Sequence, residues 1–448
     1  MSTVKFDVNG REYVHDGTPV VVICIDGSEP AYHEEAIAAG RMPWLKNLLE
    51  SQTGEYWGAH CAIPTLTNPN NMSIATGRPP AYHGICGNYI LDPSTGEEVL
   101  MNDPKFLRAP TVFAAAAAAG LDVAVVTAKD KLRRLLASGI TQPGLDPDGS
   151  GEYVEPQNPG ICFSAEKADT VTQENNGIED ALGLTGMELP SVYSAELSKF
   201  ALAAGVELLR TRRPDVMYLT LTDYIQHKNA PGTEVANDFY AMVDTYASQL
   251  DELGAVVAIT ADHGMSPKHH ADGTPRVIYL EEEVDTILGI GEGETGSRVI
   301  LPITDPYTVH HGALGSFANV YLPEGAHRNK VIEALRGREG VSAVLPSEEA
   351  AEIYEMPLDR MGDLTVLSDK DAAIGRFPAW HDLSNLEVPL RSHGGLGELN
   401  IPFIINRTLP APTDTEATGP DGSTAILHNY DAYWVVTTHA AVTAGAPV

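Results

Sequence analysis

Four short motifs in this chain carry the side chains that bind divalent transition metals. Asp223-Tyr-Ile-Gln-His227 sets a carboxylate and an imidazole four residues apart. If a helix opens at Thr222 or Asp223, both project from one face toward one ion. Asp262-His263-Gly264 offers two more ligand types, and its glycine lets the chain turn away. Asp26 closes an apolar run, and His393 lies beside glycines in Arg-Ser-His-Gly-Gly. Zinc takes histidine nitrogen and carboxylate oxygen, and a catalytic zinc site keeps one position open for water or substrate. Taken singly, each motif has an ordinary reading: a strand-end aspartate more often caps a helix, and a lone histidine is more often structural. Together on one edge they would form a hydrolytic metal centre.

A nucleophile is the next requirement. Thr65 lies in Ile63-Pro64-Thr65-Leu66-Thr67-Asn68, ahead of a helical pattern running toward Ala75. By position it reads first as a helix N-cap, a role for which Thr67 and Asn68 compete. As a nucleophile it would gain from the helix N-terminus, whose N–H groups favour an alkoxide and a phosphoryl group.

The elements that would position these residues are legible as apolar runs with polar ends. Val20 to Ile25 ends at Asp26-Gly27, and Val123 to Thr127 leads to Lys129 and Lys131. Val216 to Leu221 ends at Thr222-Asp223, and Ala255 to Thr260 ends at Asp262-His263. Runs without alternation suit strands buried on both faces of a largely parallel sheet. Helical stretches over 31–51, 111–120, 195–210 and 235–253 separate them, which predicts a doubly wound α/β core with its site beyond the carboxyl ends of the strands.

Two segments break the rhythm. Residues 139–190, rich in Gly, Pro, Asp and Asn, read as a long irregular excursion. Residues 265–375 read as an inserted small α+β cap, with strands at 317–322 and 364–367 and helices at 328–336 and 347–354. The expected division is a catalytic core of 1–264 and 376–448 plus that cap. Val4, Phe6 and Val8 before Asn9-Gly10 predict an N-terminal hairpin.

The 61 acidic residues outweigh 29 basic ones, for a net charge of −32. Such a surface repels nucleic acid and anionic membranes, which excludes both as partners. It also repels an anionic substrate, so phosphate chemistry needs a local positive site. No basic-then-apolar leader or membrane-length apolar stretch is present, and Cys24, Cys61, Cys86 and Cys162 lack CxxC spacing. A cytoplasmic enzyme with reduced, buried cysteines is the expectation.

The order Asp26, Thr65, Asp223-x-x-x-His227, Asp262-His263-Gly264 and His393 resembles the alkaline phosphatase superfamily, in particular its nucleotide pyrophosphatase/phosphodiesterase-like branch. That resemblance implies two zinc ions per chain. Asp26, Asp262 and His263, with Thr65 bridging as nucleophile, would hold one; Asp223, His227 and His393 would hold the other. In His83-Gly84-Ile85-Cys86-Gly87-Asn88, it assigns Asn88 to a phosphoryl oxygen. Two zinc ions against three carboxylates and a threonine alkoxide leave such a site near neutral, so an acidic protein can still accept an anion there.

Within the branch, Gly77 to Tyr89, Ile25-Asp-Gly-Ser-Glu-Pro30 and Thr127-Ala-Lys-Asp-Lys131 resemble the phosphonoacetate hydrolases, with Ser28 where that family has cysteine. This implies cleavage of phosphonoacetate to acetate and phosphate through a phosphothreonine. A departing carbanion is tolerable if its charge spreads into the adjacent carboxylate, and cations held against that carboxylate help most. Lys129 and Lys131, after a strand, are the candidates; otherwise they are two solvated lysines opening a helix. The expected partner is a small anionic organophosphorus substrate, with a homodimer left open. A nucleotide or other phosphodiester hydrolase of the same superfamily is the rival reading. His269, His270, His310, His311, His381, Arg78 and Arg391 are left without an assigned role.

Overall fold

The computed structural model describes residues 3–291, 294–304, 313–384, 386–409 and 427–439. All four apolar runs become strands, at Val20–Cys24, Val123–Thr127, Val216–Thr220 and Val256–Thr260, and every residue in them is buried. They lie parallel in the lateral order 123–127, 216–220, 20–24, 256–260. Successive side chains feed two different cores. Val20, Val22 and Cys24 pack into one, and Val21, Ile23 and Ile25 into the other. That double burial explains why the runs are apolar throughout. Each buried valine or isoleucine contributes roughly 1.5–3 kcal/mol, so this sheet is a stiff platform.

Three further strands complete a seven-stranded mixed sheet. Ile161–Ser164 pairs in parallel outside Val123–Thr127. On the opposite flank, Asn400–Ile405 runs antiparallel to Val256–Thr260 and is followed by Glu55–His60. The segment read as an irregular excursion therefore supplies one strand to the main sheet. Its four residues follow Pro159-Gly160 and are too short to show a period. The helix expected over 31–51 is two, Pro30–Ala38 and Pro43–Ser51, because Gly40 adopts a left-handed φ of 72° between them.

Helices cover both faces. Glu196–Thr211 and Glu234–Glu252 join the core that receives Val21 and Ile23, while Val112–Ala118 and Asp130–Leu136 join the other. Farther along the chain, Arg298–Ile300, Phe317–Tyr321, Leu364–Ser368 and Val341–Pro346 form a separate antiparallel sheet in that order. Helices Leu280–Leu288 and Arg328–Leu335 pack on it through Val284 and Val331. Val4–Val8 and Arg11–His15 form the N-terminal hairpin. Among the described residues no helix is long and apolar enough to cross a membrane.

Candidate active site

The four central strands end flush. Thr127 lies opposite Thr220, Thr220 opposite Cys24, and Cys24 opposite Thr260. Asp26, Lys129, Asp223, Asp262 and His263 thus all emerge just beyond one line across the sheet. Gly27, at φ 71°, permits the close approach: a Cβ there would sit 3.2 Å from Gln226 Cβ and 3.3 Å from Asp223 Cβ.

Two clusters form on this edge. One ligand atom each from Asp26, Asp262 and His263 falls within 4.8 Å of the others, and the same holds for Asp223, His227 and His393. All six are buried. The clusters abut, since the His263 and His393 rings stack with centroids 3.6 Å apart.

Each imidazole is held by a backbone carbonyl. Nδ1 of His227 meets Arg391 O at 2.8 Å, that of His263 meets Gly264 O at 2.9 Å, and that of His393 meets Thr65 O at 2.8 Å. A carbonyl only accepts, so each Nδ1 carries the proton and each Nε2 is left as the ligand atom. Asp262 is oriented in turn by N–H groups of Gly27 and His263 and by Asn71 Nδ2 at 3.1 Å.

The clusters fit metal ions on their own electrostatics. Asp26 Oδ1 and His263 Nε2 lie 3.3 Å apart, both buried and without a hydrogen-bond partner. Burial, and next Asp26, push the Asp262 carboxyl well above its ordinary range. Burial alone would lower His263, but Asp262 and Asp26 outweigh it and raise it to about 10. His393 is lowered well below its usual value by burial and then by His263 and His227. Three buried carboxylates crowded among three imidazoles call for cations.

A cavity of about 80 Å³ opens against both clusters, lined by Asp26, Asp223 and His393 together with Asn88, Lys129 and Lys131. That is several times the ~10–15 Å³ one water needs, and suits a small substrate. A family model described as type I phosphodiesterase / nucleotide pyrophosphatase matches residues 20–395. The chain belongs to that family. Among solved structures, phosphonoacetate hydrolase from Sinorhizobium meliloti 1021 in complex with phosphonoacetate shares 51% identity with this family member. The match covers 98% of this chain and 100% of that one, with a TM-score of 0.87. The same hydrolase in complex with phosphonoformate matches equally. Murine ectonucleotide pyrophosphatase / phosphodiesterase 5 in complex with AMP matches at 17% identity, 93% coverage of each chain and a TM-score of 0.59, which is a likeness of fold alone.

The structure of this phosphodiesterase-family chain does not bring Thr65 to the cavity. Thr65 is fully buried, and its hydroxyl accepts from Gly394 N–H at 2.9 Å and donates to Gly395 O at 3.1 Å. Thr67 lines the cavity instead, at the first position of the helix Thr67–Thr76. Its hydroxyl makes no hydrogen bond among the described residues. Leu66 between them is buried in the core of the smaller sheet, which fixes where its two neighbours can go. The sequence offered Thr67 as a cap. The signal for more was its place directly at the helix start, two residues nearer the N–H groups than Thr65.

Asn88 accepts from Asn68 N–H at 3.0 Å through Oδ1, so its amide nitrogen is the group able to donate into the cavity. Lys129 and Lys131 do open a helix, Asp130–Leu136, yet both line the cavity, and Lys129 Nζ stands 3.3 Å from Asp223 Oδ1. Asn102 also lines it, which sequence reasoning missed. Ser28 lies beneath, bonded to Tyr240 and His33. Arg391 donates to Gln226 O and Met265 O and so braces the loops around His227. Arg78 reaches Asn9 O, away from the site. His269 bonds the His270 carbonyl, and His381 accepts from Arg376 N–H. His310 and His311 fall outside the described residues.

Proposed function

We propose that this chain hydrolyses the carbon–phosphorus bond of phosphonoacetate to acetate and phosphate, with two zinc ions and Thr67 as nucleophile. The observation that supports it is one small cavity in which paired metal-ligand clusters face two lysines. Asp26, Asp262 and His263 would hold one ion and Asp223, His227 and His393 the other; the mixed imidazole–carboxylate set suits zinc. When bound, the ions supply Lewis acidity and ease deprotonation of a hydroxyl at neutral pH.

Thr67 Oγ1 attacks phosphorus in line, aided by the N-terminal end of its helix. Asn88 Nδ2 donates to a phosphoryl oxygen. As the P–C bond breaks, its electron pair passes into the acetate carboxylate, giving an enediolate. Lys129 and Lys131 lie against that carboxylate and stabilise charge that exists only as the transition state develops. The proton given up by the Thr67 hydroxyl balances the one taken up at carbon, which yields acetate. Water then displaces Thr67 from phosphorus, releasing phosphate and restoring the hydroxyl.

A nucleotide phosphodiesterase would call for a surface on which a base can stack, and among the described residues no Phe, Tyr or Trp lines this cavity. Phosphate release by zinc-loaded protein from phosphonoacetate, an aryl phosphodiester and an aryl phosphate tests the choice. Phosphonoacetate is expected to be the preferred substrate, and a clear preference for the diester would overturn the proposal. Thr67→Ala is expected to lower kcat by at least about a thousandfold with both ions retained. Substantial remaining turnover would mean that water attacks directly.

A further inference from the structure

The Thr65 hydroxyl, next to the clusters, both accepts and donates within the protein. Four hydrogen bonds join Thr65 to the turn that carries His393. Gly394 N–H donates to Thr65 Oγ1 at 2.9 Å, and the Thr65 hydroxyl donates to Gly395 O at 3.1 Å. Thr65 N–H donates to Gly394 O at 3.3 Å, and His393 Nδ1–H donates to Thr65 O at 2.8 Å. Gly394 adopts φ 126°, a conformation that side chains rarely take. On its other side, Gly395 N–H donates to Glu398 Oε2 at 3.1 Å, and Glu398 Oε1 accepts from the fully buried Lys268 at 2.9 Å. Ser316 N–H holds the turn from a third side, donating to His393 O at 2.9 Å, and of the three only Thr65 hydrogen-bonds the imidazole.

We propose that Thr65 is a positioning residue for His393: it clasps the His393–Gly395 turn and sets the Nδ1-protonated tautomer, so that Nε2 is presented to the ion held with Asp223 and His227. This rests on the reading of His393 as a metal ligand. The hydroxyl is the decisive group, because it both accepts and donates within the turn. Valine in its place keeps the volume and the backbone bonds but strands the buried Gly394 N–H, and it leaves Gly395 O with only the longer bond from Glu398 N–H at 3.4 Å. The turn must then shift to recover partners, and His393 moves with it. Groups that orient ligands in this way typically change metal affinity by ~10–100-fold when lost.

The test compares wild type, Thr65→Val and Thr65→Ser for zinc affinity at each site by chelator competition and for the absorption spectrum of the cobalt(II)-substituted protein. In Thr65→Val one ion should bind as in wild type and the other ~10–100-fold more weakly. Its cobalt spectrum should change for one site only. Thr65→Ser, which keeps the hydroxyl, should restore both. Two wild-type affinities and an unchanged spectrum in Thr65→Val overturn the inference, and they do so whether or not activity survives. If Thr65→Val fails to fold, nitrogen-15 spectra of the wild-type histidines decide: a His393 protonated on Nε2 overturns the clasp, and one protonated on Nδ1 supports it. A wild-type chain that takes up fewer than two ions is a different failure, that of the site reading itself.

Discussion

Asp26, Asp262 and His263 leave two adjacent strands within three residues of their last paired positions, Cys24 and Thr260. Asp223, His227 and His393 are assembled otherwise. Asp223 lies at the N-cap of the short helix Tyr224–Lys228, His227 completes the first turn of that helix, and His393 comes from a glycine turn far along the chain. The first cluster has two carboxylates and one imidazole, the second one carboxylate and two imidazoles. Lys129, 3.3 Å from Asp223 Oδ1, also brings a positive charge beside the second. The first cluster therefore follows directly from two adjacent strands and is the more negative. The second depends on loops, and a cation there competes with an ammonium. An active site of this kind can hold one ion as a fixture and keep the other responsive to its surroundings.

The largest expected effect comes from breaking the first cluster. Asp262→Asn should remove the ion held there and several kcal/mol of transition-state stabilisation, on the order of a thousandfold or more in kcat. His393→Asn should empty only the other site, with the first ion still present by elemental analysis. Should His393→Asn release both ions, the clusters are not independent and the contrast fails.

Next in size are the lysines. Lys129→Ala and Lys131→Ala should each cost about a hundredfold in kcat on phosphonoacetate and much less on an aryl phosphodiester, which offers no carboxylate. Lys129→Ala alone should also tighten zinc at the second cluster, because a charge repelling the ion is gone. Equal losses on both substrates would place the lysines in the service of the metals or the fold.

The smallest effect sharpens the contrast through protons. In the metal-free chain His263 is raised to about 10, so at neutral pH the first cluster holds at least one proton that zinc must displace. His393 is lowered and already neutral. Zinc affinity at the first cluster should accordingly rise about tenfold per pH unit from neutrality toward that value, and at the second it should rise less. Calorimetry in buffers of different ionisation enthalpy counts the protons. Equal release from both sites would remove this distinction.

How far the sequence could be read depended on what each residue type requires. Strands buried on both faces announce themselves as unbroken apolar runs, and their polar ends mark the site edge. Ile161–Ser164 is too short for that signal, and Glu55–His60 is largely half-buried. Asn400–Ile405 contains Pro402, which would ordinarily argue against an interior strand. At the site, ligand types limit the choice sharply, since few residues bind zinc. Threonine has no such signature. Pro64-Thr65-Leu66-Thr67 presents two hydroxyls two residues apart; a place at the helix start favours Thr67, and packing of Leu66 and the glycine turn decides which of the two faces the cavity.

Asn400–Ile405 lies between Val256–Thr260 and Glu55–His60 and is hydrogen-bonded to both. During synthesis, all the residues before Asn400 must leave the ribosome before this strand exists. Until then Val256–Thr260 presents an unpaired edge, and Glu55–His60 has no neighbour in the sheet. Pairing across such sequence distances is slow, and open edges recruit other chains. His393 emerges just ahead of the same strand, so completion of the sheet and completion of the second cluster coincide. The open edge therefore persists until the last residue of that cluster has been made.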